Sequence, residues 1–142
     1  MGERTDSEKL TTDLMKALQL LARDALASAM AAGTMPGTEG VSLAPRLAEI
    51  AAAELADVER VAARIASLGG SPSVTLKKLD PPQRADASLE WLAAMQREAN
   101  DAVVAAIPAD ADDAEGEATE HLLEHIVARK RDVIELLDRA LR

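Results

Sequence analysis

The sequence predicts an all-α fold, a single domain in which four helices pack side by side as a bundle. Four long segments carry apolar residues at steps of three and four, the spacing of one helix face. Loops rich in Gly and Pro, or in acidic residues, separate these segments. The chain contains one Trp and no Phe or Tyr, so its core must be built from aliphatic side chains, which suits closely packed helices better than a sheet. Together these features indicate a four-helix bundle.

The composition restricts what the protein can do. The 142 residues suffice for one domain over residues 1–142, of which residues 1–6 are expected to be disordered. The absence of Cys excludes disulfides and thiolate metal sites. A net charge of −9 repels a phosphate backbone, so no nucleic-acid partner is expected. The sequence has neither a signal-peptide pattern nor a membrane-spanning apolar run, so we expect no membrane partner and a cytoplasmic location.

The first two helices are expected to be joined by a loop. The first helix should begin at residues 6–7, both suitable cap residues, and end before Gly33. Residues 33–42 are dense in Gly and Pro and are expected to form a loop. The second helix should start at residues 42–45, because Pro is tolerated in a first turn, and end at Leu68 before two glycines.

A long connection is expected in the middle of the chain. Residues 71–80 show no helical period, and ten extended residues cover on the order of 33 Å, the length of a helix, so a crossover between the second and third helices is expected. The third helix should begin at residues 80–82, an Asp followed by two Pro, and end at Ile107. Asp112 or Asp113 should cap the fourth helix.

Polar residues interrupt the apolar face of each helix near its midpoint. The interruptions are Asp24, Glu54, Asp57, Gln96 and Lys130. Residues at mid-height on the inner faces of a bundle come to the same level, so these five side chains are expected to share one buried pocket. A buried carboxylate is costly unless it is paired or bound to a cation.

Two interpretations of this pocket remain open. In the first, Asp24, Glu54 and Asp57 are oxygen ligands of a divalent cation, with Gln96 as a neutral ligand, since bundle cores build metal sites from carboxylates on facing helices. In the second, Lys130 replaces the metal, and Gln96 donates an amide hydrogen bond. Three carboxylates against one ammonium leave excess negative charge, so at least one acid should be protonated, solvated or turned away.

Two stretches of the sequence resemble the ferritin-like superfamily, especially bacterioferritins and the DNA-protecting mini-ferritins. Residues 63–73, ARIASLGGSPS, are similar to the end of the second helix in those families, which leads into a crossover. Residues 118–141 are similar to the family's fourth helix, which opens with T-x-x-L-L-E-x-I. With the helix plan, the resemblance covers residues 13–141. It implies a ferritin-like four-helix bundle with a long crossover between helices 2 and 3.

The resemblance also implies where a di-iron centre would lie, and the first two helices keep only part of its motif. The glutamate of the family's first helix falls on Asp24, in the run LLARD. The Glu-x-x-His of the second helix falls on Glu54-Leu-Ala-Asp57, which keeps the Glu and replaces the His by Asp.

The last two helices depart further from the family motif. The third-helix glutamate falls on Gln96, although a small shift would place Glu98 there. The Glu-x-x-His of the fourth helix falls on Lys130-Arg-Asp-Val133, so both ligands are missing. By resemblance, a ferroxidase centre needs two irons held by bridging carboxylates and terminal imidazoles, and this chain lacks that set at the usual place.

Two other groups are weaker candidates for metal binding. His121 and His125 lie four residues apart on one helix face, with Glu117 one turn before, a spacing that suits a divalent transition metal. A solvated or interface role is the competing interpretation. The acidic loop at residues 108–117 lacks the ordered spacing of a calcium loop, so a solvated loop is the simpler interpretation.

From these features we expect a ferritin-like bundle protein that has lost the usual ferroxidase centre and has a structural or binding role. The alternative is an iron-binding or iron-storage protein that uses an unusual carboxylate-rich metal site, with ferroxidase-type activity if it is an enzyme. No catalytic residue is assigned. No cofactor is expected on the first hypothesis, and iron or another divalent metal on the second. Self-association into a homo-oligomer, either a dimer or a cage-like assembly, is expected.

Overall fold

The computed structural model describes residues 2–109 and 113–142, which form four α-helices. Their bounds are Gly2–Thr34 for α1, Gly37–Ser67 for α2, Ala85–Ala106 for α3 and Ala114–Ala140 for α4. No strand occurs in this part of the chain. The predicted all-α four-helix fold is confirmed.

The helices pack as a bundle, and one side of the bundle is more open than the others. α1 packs extensively against α2 and also against α3, and α3 packs against α4. α2 and α4 pack less closely. No helix within the described residues is long and apolar enough to span a membrane.

The connection between α1 and α2 is much shorter than predicted. Only Met35 and Pro36 lie outside the two helices, so Pro45 lies inside α2 rather than in its first turn. Gly37 has a φ of +76°, a left-handed conformation that glycine adopts without a steric penalty. A Cβ at Gly40 would collide with the backbone carbonyl of Met35. The glycines therefore build a tight turn, and the loop predicted for residues 33–42 is wrong.

α2 ends at the double glycine. Gly69 has a φ of +88°, its N–H donates to the carbonyl of Ala66 at 3.0 Å, and the N–H of Gly70 donates to the carbonyl of Ile65 at 2.9 Å. These are the two hydrogen bonds of a Schellman motif, which satisfies carbonyls at the end of a helix. The crossover to α3 follows this helix end.

The crossover, residues 68–84, is anchored on α1. The side-chain amide of Gln19 bonds to both backbone groups of Thr75, accepting from its N–H at 2.9 Å and donating to its carbonyl. The N–H of Ser73 lies 3.4 Å from the sulfur of Met15. The predicted long crossover between α2 and α3 is confirmed.

Three helix starts differ from the predictions or refine them. Residues 2–6, expected to be disordered, belong to α1, while Met1 lies outside the described residues. α3 begins at Ala85 rather than at residues 80–82, because the prolines extend the crossover. Asp113 caps α4, with Oδ1 accepting from the N–H of Gly116 at 2.6 Å. Asp112 lies outside the described residues.

The apolar core consists of two clusters, one toward each end of the bundle. One contains Leu14, Leu18, Val61, Ile65, Val103, Leu123 and Ile126, among others. The second contains Ala27, Ala31, Leu47, Ile50, Leu89, Leu92 and Leu137, among others. Every helix has a buried polar residue between the residues of these two clusters, namely Asp24, Glu54, Asp57, Gln96 and Lys130, whereas the buried Ser28, Ser88 and Thr119 lie outside this interval. The bundle therefore has a polar layer across its middle.

Candidate functional site

Lys130 lies at the centre of the polar layer. Its ammonium donates to Asp24 Oδ2 at 2.8 Å, to Gln96 Oε1 at 2.9 Å and to Glu54 Oε2 at 3.3 Å. The residue is 2% exposed. An ammonium has three N–H donors, so each one has an oxygen partner from a different helix.

Gln96 links the lysine to one of the acids. Its Oε1 accepts from Lys130 while its Nε2 donates to Glu54 Oε1 at 2.7 Å. A carboxylate at this position would lack the N–H that Glu54 receives, so an amide fits here. Gln96 is buried, whereas the side chain of Glu98 is 62% exposed and pairs with Arg23. Gln96, and not Glu98, therefore faces the core.

Arg23 supplies a second cation that the sequence analysis missed. Its Nε and Nη2 lie 3.1 and 3.0 Å from Asp24 Oδ1, and Nη2 also donates to the carbonyl of Met95 at 2.9 Å. Two carboxylates, Asp24 and Glu54, are thus balanced by two cations, Arg23 and Lys130. We call these four residues with Gln96 the central ion network.

Asp57 lies in the polar layer but turns away from the central ion network. Its Oδ1 accepts from Arg60 Nη1 at 3.0 Å, and its two oxygens pair with Nε and Nη2 of Arg129, the Nε bond being 3.2 Å long. Asp57 is only 2% exposed, and two guanidinium groups compensate its charge. Asp57 is thus an acid that turns away from Lys130, one of the outcomes that the excess of negative charge predicted.

Burial dominates the acid–base behaviour of the central ion network. Burial raises the pKa of the Asp24 carboxyl above its ordinary value, and Lys130 and Arg23 offset this effect only in part. Burial likewise raises the pKa of Glu54, and the negative charge of Asp24 adds to the rise, while Lys130 and the Gln96 amide oppose it. The charged carboxylates of Asp24 and Glu54 are therefore stabilised by their hydrogen-bond and ion-pair partners rather than by water.

A cavity of about 110 Å³ lies on the open side of the bundle, between α2 and α4. Its inner wall includes Glu54 and Lys130, and Asp57 and Arg129 also line it. Ile50 and Val133 contribute apolar wall, while other lining residues carry charges of both signs. The central ion network is therefore reached from this side.

The residues present do not fit a di-iron centre. The ammonium of Lys130 occupies the point on which the oxygens of Asp24, Glu54 and Gln96 converge, and its positive charge repels a metal ion placed beside it. The network offers two carboxylates and one amide, with no imidazole. Among residues 7–109 and 113–142, whose side chains the structure describes, no three His, Asp or Glu residues are grouped so as to hold a metal ion.

The weaker candidates lie on the surface. His121, His125 and Glu117 are exposed, and His121 Nδ1 lies 4.0 Å from Glu124. Their proposed metal binding stays a prediction. In the acidic loop, Glu115 lies 3.9 Å from Arg64, and residues 110–112 are outside the described part of the chain.

Sequence reasoning located the acids and the lysine but not all of their partners. Arg60 follows Asp57 by three residues, a spacing that places two side chains on one helix face, so this pair was detectable. Arg23 and Arg129 reach partners on other helices, and neither lies on an apolar stripe. No pattern in the sequence identifies these two arginines as partners of the buried acids.

Comparison with known proteins gives one family and several similar folds. The family model for the ferritin-like domain matches residues 7–142. A ferritin-like diiron-carboxylate protein from Bacillus anthracis is 20% identical with a TM-score of 0.87, over 96% of this chain and 98% of that one. A Dps protein from Bacillus brevis is 17% identical with a TM-score of 0.84, over 97% and 98%.

A bacterioferritin from Rhodobacter capsulatus is more distant in structure. It is 20% identical with a TM-score of 0.74, over 94% of this chain and 84% of that one. No curated protein sequence matches this chain. At these identities the solved structures show a shared fold.

Proposed function

The chain belongs to the ferritin-like domain family, and on that premise we propose that it is a ferritin-like bundle protein without a working ferroxidase centre. Its role on this proposal is structural or binding rather than catalytic. The position of Lys130 carries the proposal, because its ammonium takes three oxygens at the middle of the bundle. A buried, fully paired cation there leaves no ligands for iron.

The charge balance supports the same conclusion. With Arg23 and Lys130 in place, Asp24 and Glu54 need no further cation. Adding a divalent ion would place two extra positive charges beside a buried ammonium, where like charges repel strongly because screening is weak. The alternative of an unusual carboxylate-rich iron site would also require Asp57 to leave its two arginines.

We further propose that the protein is a cytoplasmic homo-oligomer. Large apolar side chains on its surface support self-association, among them Val41, which is 79% exposed, and Leu55, which is 64% exposed. Single exposed apolar residues are common, so the test is the mass in solution. Light scattering should give at least twice the chain mass of 15.0 kDa, and a monomer at all concentrations would contradict this part of the proposal.

The oxidation of ferrous iron tests the proposed function. Fe²⁺ is added to the aerobic wild-type protein, and the appearance of ferric iron is compared with buffer alone and with the Glu54→Ala variant. We expect all three rates to be equal, and purified protein to contain no stoichiometric iron or manganese. Faster oxidation by the wild type, or bound metal that is lost on Glu54→Ala, would overturn the proposal.

A further inference from the structure

We infer that the cavity between α2 and α4 binds one small aliphatic α-amino acid. The aliphatic side chain of this ligand packs against Ile50 and Val133. Its carboxylate pairs with Arg129, and its ammonium pairs with Asp132. The inference names a ligand for the binding role proposed above and in that sense rests on it. The site lies beside the central ion network and uses none of the hydrogen bonds of that network.

The interior of the cavity suits a short aliphatic side chain. The buried Ile50 and Val133 line it, together with the exposed Ala53. Lys130 on the inner wall has an oxygen partner for each of its three N–H groups, so it offers a ligand no free donor. The volume of about 110 Å³ is below the roughly 150 Å³ that holds benzene in an engineered apolar cavity. A side chain of about three or four carbon atoms therefore fits, and an aromatic ring does not.

The wall of the cavity carries a positive charge that is not balanced. Arg60 Nη1 donates to Asp57 Oδ1 at 3.0 Å, and Arg129 donates to both oxygens of the same carboxylate. Two guanidinium groups thus share one carboxylate, which leaves one positive charge in excess. Within the described part of the chain, the guanidinium of Arg129 bonds only to Asp57, through Nε and Nη2. Its Nη1–Nη2 edge therefore keeps free N–H groups, a fork that binds a carboxylate through two hydrogen bonds.

Asp132 supplies an unpaired negative charge on the same wall. It lines the cavity three residues after Arg129, and residues at this spacing are neighbours on a helix surface, about 5–6 Å apart at Cβ. Among the side chains that the structure describes, none forms an ion pair with the carboxylate of Asp132. The other lining acids all have a cation, including Glu49, which pairs with Arg46 at 3.2 Å. The cavity therefore presents one unmatched charge of each sign.

These two unmatched charges determine the class of the ligand. In an α-amino acid the carboxylate and the ammonium are bonded to one carbon atom, so they can pair with two neighbouring residues of one helix. A simple anion would satisfy Arg129 and leave Asp132 unpaired, whereas a simple cation would do the reverse. A zwitterion satisfies both and adds no net charge beside the buried ions. The apolar interior then selects a short aliphatic side chain, such as that of valine.

The experiment titrates the ¹⁵N-labelled wild-type protein with L-valine and follows the amide chemical shifts by nuclear magnetic resonance. We expect saturable shift changes at residues 46–57 and 129–133, the segments that line the cavity. Half-saturation should occur below about 10 mM, an affinity that ligands of this size can reach. The absence of saturable changes, or changes confined to another part of the protein, would overturn the inference.

Three analogues test each part of the ligand separately. Isobutylamine lacks the carboxylate of valine, isovalerate lacks its ammonium, and glycine lacks its side chain. A hydrogen bond to a charged group, or the burial of a short aliphatic side chain, contributes about tenfold or more in affinity. Each analogue should therefore bind at least about tenfold more weakly than L-valine. An analogue that binds as tightly as L-valine would show that the missing group is not recognised, which contradicts the inference.

Two pairs of variants locate the site, and all four replaced side chains are exposed, so folding does not limit the test. Asp132→Asn should weaken L-valine binding at least about tenfold, whereas Asp101→Asn, the same change on α3, should leave it unchanged. Ala53→Leu places a larger side chain in the cavity and should abolish binding, whereas Ala52→Leu, at a position that does not line the cavity, should not.

The inference is wrong if either Asp132→Asn or Ala53→Leu binds L-valine as tightly as the wild type. That result leaves the proposed function standing, since only iron oxidation by the wild type decides the latter.

Discussion

The ammonium of Lys130 on α4 lies 2.8 Å from Oδ2 of Asp24 on α1, and both side chains are almost completely buried. The two residues are far apart in sequence, so only the folded bundle brings them together. Two apolar clusters enclose the layer in which they meet. A buried ion pair of this kind adds little net stability over an apolar pair, but breaking it leaves an uncompensated charge.

Replacement of Lys130 by Met should therefore be strongly destabilising. The variant leaves Asp24 and Glu54 buried with Arg23 as their remaining cation, and we expect the free energy of unfolding to fall by about 3 kcal/mol or more. Urea denaturation at neutral pH measures this change. Lys78→Met, at an exposed position, should change the stability by no more than about 0.5 kcal/mol. Equal stability of the two variants would show that Lys130 is not buried with the acids.

The raised pKa of Glu54 predicts the direction of a pH effect. Because burial raises this pKa in the folded state above its model value of 4.5, the contribution of Glu54 to stability is complete below that value and is lost as the pH rises through the folded pKa. Relative to Glu54→Gln, the wild type should thus gain stability as the pH is lowered from 7.5 toward 4.5. Denaturant unfolding of both proteins across this range isolates the residue. A relative loss of wild-type stability on acidification would mean that the charge of Lys130 lowers the pKa of Glu54 by more than burial raises it.

The separation of Asp57 from the central ion network is measurable by double-mutant cycles. Asp57 bonds to Arg129 and not to Lys130, so Asp57→Asn combined with Arg129→Met should show a coupling energy of about 1 kcal/mol. The cycle of Asp57→Asn with Lys130→Met should give less than about 0.5 kcal/mol. A larger coupling to Lys130 than to Arg129 would place all the acids in one network.

The turn between α1 and α2 predicts opposite effects for two glycines. Gly40→Ala places a Cβ against the carbonyl of Met35, so we expect a loss of about 1–3 kcal/mol in the free energy of unfolding. Gly33→Ala meets no atom within 4 Å and removes a poor helix former, so it should be neutral or add up to about 1 kcal/mol. Thermal unfolding of the two variants provides the comparison. Equal effects would argue against the tight turn.

The sequence predicted the architecture because apolar periodicity is a local signal. Three features could be recognised in the sequence alone: the apolar stripe of each helix, the double glycine after α2 and the aperiodic stretch before α3. The family resemblance indicated the same fold. The α1–α2 turn was predicted incorrectly. Gly and Pro are equally common in flexible loops and in tight turns, and the close approach of Gly40 to Met35 is a tertiary feature.

Most residues of the candidate site could be predicted from the sequence, but the ion pairs that they form could not. Asp24, Glu54, Gln96 and Lys130 could be identified because each one interrupts the apolar face of its helix. The partner of each acid depends on how neighbouring helices are rotated against one another, which no local pattern encodes. Arg23 was missed for a different reason: it pairs with its direct neighbour Asp24, and adjacent residues do not usually face each other on a helix. Without Arg23, and with Asp57 counted in the pocket, the charge of the pocket appeared unbalanced.

Anomalous diffraction from a wild-type crystal soaked in Mn²⁺ tests the central claim most directly. We predict no anomalous peak between Asp24 and Glu54, with the nitrogen of Lys130 within hydrogen-bonding distance of Asp24, Glu54 and Gln96. A well-occupied peak at that position, with the lysine displaced toward the α2–α4 cavity, would contradict the claim that Lys130 stands where a metal would bind.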